Sequence, residues 1–294
     1  MMEWLRRLQR PRQPKQTLAL ALGQECVLLV QRQPSVLFVR EPCQGSGEWP
    51  RAIASLLSRV AQPEFEVLVL LAPSFYQQVQ IDKPDVPDEE LQGALPWAIK
   101  DFVSDPVLQL SCDYYDLPTS PASHPKLAVV AVPKSRLQLI ADSVNAHARL
   151  SLITTEELAL ANLPGRAARL ELLLYQLPGQ ELSLLAISGG QLCFNRQLRG
   201  FSQLDQLGIV AQAPELLDNL TLQIQRSLDY LTAQLKLGDA SRMQVALNSG
   251  DLGALVRHLA ASFPMPVAAL ANPAVAAGLE YLPAFALLQG EVAS

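Results

Sequence analysis

Apolar positions along this chain switch between a spacing of two and a spacing of three and four, and the switches follow one order twice. From Thr17 the runs TLALAL, CVLLVQR and SVLFVR predict three strands, separated by turns at Gly23-Gln24 and Gln33-Pro34. They read as an antiparallel meander. After a loop from Glu41 to Pro50 that holds Gly45 and Gly47, the spacing from Arg51 to Val60 is helical, and EVLVLL reads as a buried strand. The opening order is therefore three strands, helix, strand.

A different block follows. Ser74 to Ile81 alternates, with Phe75, Gln77, Val79 and Ile81 on one face, which predicts a half-exposed strand. Pro87-Asp88-Glu89-Glu90 opens a helix with acids where the helix dipole favours them. Leu91, Ala94, Leu95 and Ile99 form its inner face, and Pro96 is expected to kink it. Strands at Leu108 to Tyr115 and Lys126 to Val132 and a helix from Ser135 to Leu150 complete what reads as an inserted α/β subdomain, about 75–149. A short strand, Ser151 to Thr154, and a helix in TEELALANL precede Pro164-Gly165, the expected lobe boundary.

Then the opening order returns. RLELLLYQ, ELSLLAI and QLCFNRQL predict strands, the last two joined by a Gly189-Gly190 hairpin turn. Leu217, Leu220, Ile224, Leu228, Leu231 and Leu235 share one face of a long helix that Gly238 and Asp239 stop. Strand MQVAL, helix DLGALVRHLAAS with Asn248 or Ser249 as cap, strand MPVAAL and a final apolar helical segment follow. Two halves on one plan, with an insertion in the first, amount to a topological duplication. The expected division is a basic tail 1–16, a first lobe 17–166 and a second lobe 167–294.

Composition narrows the function. Of 294 residues, 49% are hydrophobic and 17% charged, enough apolar material for packed cores. A formal net charge of -5 offers no broad basic face for phosphates, so nucleic acid is not an expected partner. Cys26, Cys43, Cys112 and Cys193 lack C-x-x-C spacing, and His124, His147 and His258 fall in unrelated elements, so neither a zinc site nor a triad is expected. Met1 to Arg12 lacks the apolar region of a signal peptide, and the apolar tract Met265 to Leu288 is broken by Pro266, Asn272, Pro273, Glu280 and Pro283, against a membrane span. The first sixteen residues carry five basic side chains against Glu3. That tail reads either as a peripheral membrane or partner contact, with Trp4, Leu5 and Leu8 on one side, or as a solvated terminus.

Two stretches carry a family resemblance. DEELQGALPWAIKDFVSDPVLQLSCDYY is similar to the helix-strand passage in the inserted subdomain of the PilM family of pilus-assembly proteins, and LTLQIQRSLDYLTAQ is similar to that family's E-I-x-R-S-L-x-Y helix. The short chain resembles most the branch of that family serving the mannose-sensitive haemagglutinin pilus. The chain also resembles the cytoplasmic part of the secretion protein GspL. The resemblance implies a duplicated actin-like, ribonuclease H-like two-lobed α/β fold with an inserted subdomain and a reduced second lobe.

It also implies a cleft in which two glycine-rich hairpins cradle ATP and magnesium. Here the first hairpin is ALGQEC, keeping Gly23 alone and adding Glu25; the second is YQLPGQELS, with Gly179 its one glycine. On the adenosine side Gln223 replaces a glutamate, Arg226 matches, and Ser249 and Gly250 lie in the turn that replaces serine-glycine-glycine. Arg199 to Pro214 is too short for the subdomain that closes the second lobe over nucleotide. The expectation is a vestigial cleft at Gly23, Gly179, Gln223, Arg226, Ser249 and Gly250, with no cofactor and no catalytic residues: a pseudo-ATPase. A nucleotide-dependent switch or weak ATPase is the alternative. The resemblance further implies a groove near the insertion, by Trp97, Phe102, Tyr114 and Tyr115, that receives an N-terminal peptide of a PilN-like inner-membrane protein, and so a cytoplasmic place beside that membrane.

Overall fold

A computed structural model describes residues 16–60, 65–118, 124–164, 168–205 and 213–291. The basic tail, apart from Gln16, and Gly165 of the expected boundary lie outside the described residues.

Two sheets share one topology. In the first, β1 (Thr17–Leu22), β2 (Cys26–Gln31) and β3 (Leu37–Pro42) form the antiparallel meander, and β4 (Glu66–Leu71) and β8 (Arg149–Thr155) add parallel to β1, giving the order β3-β2-β1-β4-β8. In the second, β9 (Glu171–Gln176), β10 (Leu182–Ser188), β11 (Gln191–Leu198), β12 (Arg242–Leu247) and β13 (Val267–Ala269) give β11-β10-β9-β12-β13 with the same directions. Between β4 and β8 the chain leaves to build a third, antiparallel sheet from β5 (Gln77–Asp82), β6 (Leu110–Leu117) and β7 (Lys126–Pro133), in the order β5-β7-β6.

Period-two side-chain alternation decides which layer each strand residue joins. Leu18, Leu20 and Leu22 of β1 pack outward with Trp49, Ile53, Leu56 and Leu57 of α1 (Trp49–Val60) and Ile140 and Val144 of α3 (Lys134–Asn145). Ala19 and Ala21 face the other way, into a core shared by both lobes. There they meet α4 (Glu156–Leu160) and α8 (Leu282–Glu291), with Leu173 and Tyr175 of β9 beyond. On the far side Leu172 and Leu174 pack with Leu217, Leu220 and Ile224 of α5 (Pro214–Ala233) and Leu255 and Leu259 of α6 (Leu252–Ser262). Both central strands read as unbroken apolar runs because both of their faces are covered.

The final apolar segment divides into α7 (Pro273–Ala277) and α8. Residues 282–288 of α8 are all buried, which is why it shows no polar face; it is a core helix between the lobes. Arg32 closes its end by donating to the Leu288 carbonyl at 3.2 Å. No helix among the described residues is long and apolar enough to cross a membrane.

Three local expectations are corrected. The long helix ends at Ala233, short of Leu235, where Lys236 and Gly238 turn left-handed with φ of 57° and 75°. The N-cap of α6 is Asp251, while the Ser249 hydroxyl accepts the Asp251 amide at 3.2 Å, because the turn takes one residue more than the capping pattern indicates. The helix α3 is counted with the insertion by its sequence position, yet it packs foremost on α1 and also touches both β8 and β7, since it belongs to the crossover that a parallel β4–β8 pair requires. The small sheet is covered instead by α2 (Asp88–Ala98), through Leu91 and Leu95, with Ile99 just past its end. Pro96 lies inside α2, which ends two residues later.

Candidate functional site

The hairpins β1–β2 and β9–β10 face each other across a cavity of about 480 Å³ lined by Gly23, Glu25, Arg40, Gly179, Glu181 and Glu280, among others. The duplicated topology produces this meeting, because each hairpin joins the first two strands of its sheet. Gly179 adopts φ +74° with open space around it, the usual use of glycine in a tight turn. Gly23 is tied down. Its amide donates to the Cys26 carbonyl at 3.0 Å, and its own carbonyl accepts the Trp49 indole N–H at 3.0 Å. The cleft lining brings three carboxylates, Glu25, Glu181 and Glu280, to the same cavity as the guanidinium of Arg40.

None of the adenosine-side residues lines that cavity. Gln223 turns to β11, where its Oε1 accepts from Arg196 at 2.8 Å, and the same guanidinium donates to the Ser227 hydroxyl at 3.0 Å. Arg226 and Gly250 are exposed and Ser249 is half-buried. The structure thus brings Gly23 and Gly179 together and leaves Gln223, Arg226, Ser249 and Gly250 outside.

Beneath the cleft lies a pair that the sequence reading missed. Glu156 and Glu157 open α4, where the pattern signals only a helix start with acids in its first turn, yet both are buried between the lobes. Glu157 accepts from the Tyr76 hydroxyl and, at 3.3 Å, from Asn195 of β11. Glu156 accepts from Gln180 of the second hairpin at 2.9 Å, and its Oε1 is buried without a partner. Burial pushes the Glu156 carboxyl up to about 8, with the charge of Glu157 adding to the effect and the Gln180 bond opposing it. Among the described residues no group of three or more His, Cys, Asp or Glu could hold a metal ion.

A second concavity, of about 450 Å³, separates the small sheet from the first lobe. One wall is β6 from Ser111 to Tyr115; the other is β8 from Leu152 to Thr155, over a floor that includes Leu71, Val130, Val132, Leu137 and Leu158. Tyr114 and Tyr115 line it, and the Tyr115 hydroxyl accepts from Gln78 at 2.7 Å. Trp97 and Phe102 do not; they stand outside it, 59% and 67% exposed.

No family model and no curated protein matches the sequence. Solved structures do. Over 94% of this chain and 99% of theirs, the fold is similar to that of a chain in a PilM-PilN type IV pilus biogenesis complex, with a TM-score of 0.65 and 17% identity. The cytoplasmic domain of EpsL, an inner membrane component of the type II secretion system of Vibrio cholerae, is similar with a TM-score of 0.52 and 17% identity over 95% of this chain and 96% of that one. A Bacteroides thetaiotaomicron protein with an actin-like ATPase fold and unknown function is similar with a TM-score of 0.51 and 9% identity, covering 87% and 91%. The duplicated sheets, the crossover helices and these likenesses together establish that the chain has the actin-like ATPase fold.

Proposed function

We propose that this chain is a scaffold of a type IV pilus assembly platform at the cytoplasmic face of the inner membrane. It takes the N-terminal peptide of a PilN-like membrane protein into the groove between β6 and β8 and does not hydrolyse ATP. The observation that carries this reading is the groove itself, apolar in its floor and bordered by two edge strands, on a fold similar to that of PilM. The acidic lining of the hairpin cleft supports the pseudo-ATPase half, since Glu25 and Glu181 extend from the two turns where a nucleotide's phosphates would sit. Within pilus systems the reading is MshI of the mannose-sensitive haemagglutinin machine, and the basic tail adds a peripheral contact with anionic lipid.

The test is equilibrium binding of a synthetic peptide, the first fifteen residues of a PilN-like inner-membrane protein from the same organism, to the full-length protein. Saturable binding lost in Leu152→Asp supports the scaffold; no binding of the peptide to the wild type overturns it. A second reading, a nucleotide-dependent switch, rests on the two hairpins still facing each other across one cavity. Calorimetry with ATP, ADP and magnesium decides it. Saturating heat, with a rise in melting temperature, would favour the switch.

A further inference from the structure

We infer that the groove takes its peptide as an added β-strand, hydrogen-bonded to the free edge of β8, and not by side-chain pockets alone. This rests on the peptide-binding reading above and specifies how the peptide is held. The first observation is which residues line the groove. Four consecutive residues of β8, Leu152 to Thr155, and five consecutive residues of β6, Ser111 to Tyr115, all border it. Side chains of successive strand residues point to opposite faces, so a cavity bordered by every residue of a run lies along the strand's edge, where the backbone groups are. Both strands end their sheets.

The two edges differ in what already occupies them. On β6 the Cys112 carbonyl accepts from the Gln92 side chain, and the Tyr114 amide donates to Asp113 Oδ1 at 2.8 Å. Residues 112 and 114 point their backbone groups to one side, so that edge is blunted by Gln92 of α2 and by Asp113 of β6 itself. On β8 the Leu150 amide is likewise taken by Asn145 at 3.0 Å, just before an irregularity in the pairing with β4. Beyond it, no side chain of the described residues hydrogen-bonds to the backbone of Leu152, Ile153 or Thr154.

Sheet edges are ordinarily protected by charge, proline or shortness. The other edges have such protection: β3 carries Arg40, Glu41 and Pro42, β11 carries Arg196, β5 ends at Asp82 before Pro84, and β13 is three residues long. Between Arg149 and Glu156, β8 has neither a charge nor a proline, and Leu152 is 42% exposed. Such an edge attracts another strand.

The occupant is an extended peptide rather than a second copy of this chain, because β6 stands across the groove and would obstruct the symmetric approach of a second β8 in its own sheet. At ~3.3 Å per residue, the open run accommodates about four peptide residues. Asp113 is the charged residue of the lining, so the peptide presents no carboxylate opposite it and places apolar side chains toward Val130, Val132 and Leu137.

The test uses the full-length protein and the fifteen-residue PilN-like peptide, synthesised with a single N-methyl group at each position in turn, with fluorescence anisotropy as the readout. N-methylation at alternate residues over a run of about four is expected to weaken binding at least tenfold, and the intervening positions to stay within twofold. Amide exchange is expected to slow at least tenfold, when the unmodified peptide is added, at those alternate residues among Leu152 to Thr155 whose N–H groups face the groove and not β4. Binding without the alternation and without that protection overturns strand addition and leaves the groove reading standing. Protection confined to Ser111–Tyr115 assigns the strand to β6 and overturns the choice of β8. Self-association through β8 without peptide overturns the choice of occupant, and no binding at all removes the peptide reading together with this one.

Discussion

Glu156, at the start of the helix that leaves the first lobe, accepts a 2.9 Å hydrogen bond from Gln180, in the first hairpin of the second lobe. The bond joins the two halves of the duplication at the floor of the cleft, and it does so with a carboxyl group that burial holds protonated at neutral pH.

Stability is therefore expected to fall as pH rises from about 4.5 to about 8. In that window the unfolded chain releases the Glu156 proton and the folded chain keeps it, so the folded state loses ground by up to ~1.4 kcal/mol per pH unit from this group. Above about 8 the folded form ionises as well and the contribution levels off. Glu156→Gln, which mimics the protonated acid, is expected to be more stable than the wild type at pH 8 and to flatten the profile. Denaturant titrations at pH 5.5 and pH 8 measure the difference; equal slopes in the two proteins would refute it.

Trp49 is fully buried and supplies the donor for the Gly23 carbonyl. Trp49→Phe leaves that carbonyl with only the long 3.9 Å contact from the Cys43 thiol and opens space beside Phe75, whose ring centroid lies 4.6 Å from that of the indole. The expected loss is ~2–4 kcal/mol in urea unfolding. A loss below ~0.5 kcal/mol would mean that the first hairpin is not held by this contact.

Arg196 ties β11 to α5 through Gln223 and Ser227. Arg196→Ala is expected to cost ~1–3 kcal/mol, since it leaves two polar groups beside a buried helix face without their donor. Gln223→Ala removes one bond of that set and is expected to cost less. A double-mutant cycle tests whether the two are coupled; additive losses would show that they are not.

On the proposed function, Leu152→Asp is expected to reduce affinity for the PilN-like peptide at least tenfold. Trp97→Ser and Phe102→Ser are expected to change it less than twofold and to alter stability by no more than ~0.5 kcal/mol, as exposed side chains away from the groove. The reverse ranking in a binding titration would move the partner surface to the outer face of the insertion.

Local patterning determined the larger part of the fold. The runs in β1, β4 and β9 are apolar at both parities, which announces strands covered on both sides, and the leucine spacing of α5 announces one covered face. Because these signals depend on neighbours within a few residues, the repeated order of elements and the hairpins bearing Gly23 and Gly179 are legible in the sequence alone. What the sequence could not decide is what distant residues do to one another. Acids at the start of TEELALANL look like ordinary helix-opening residues, and only the packing of the second lobe's β11 and hairpin against α4 buries them. The family resemblance groups Trp97 and Phe102 with Tyr114 and Tyr115, and only the position of β6 against β8 separates them, with the tyrosines lining the concavity and the other two outside it. Spacing along a chain encodes burial within an element; burial between elements, and the free edge of β8, are set by how two lobes and an inserted sheet come together.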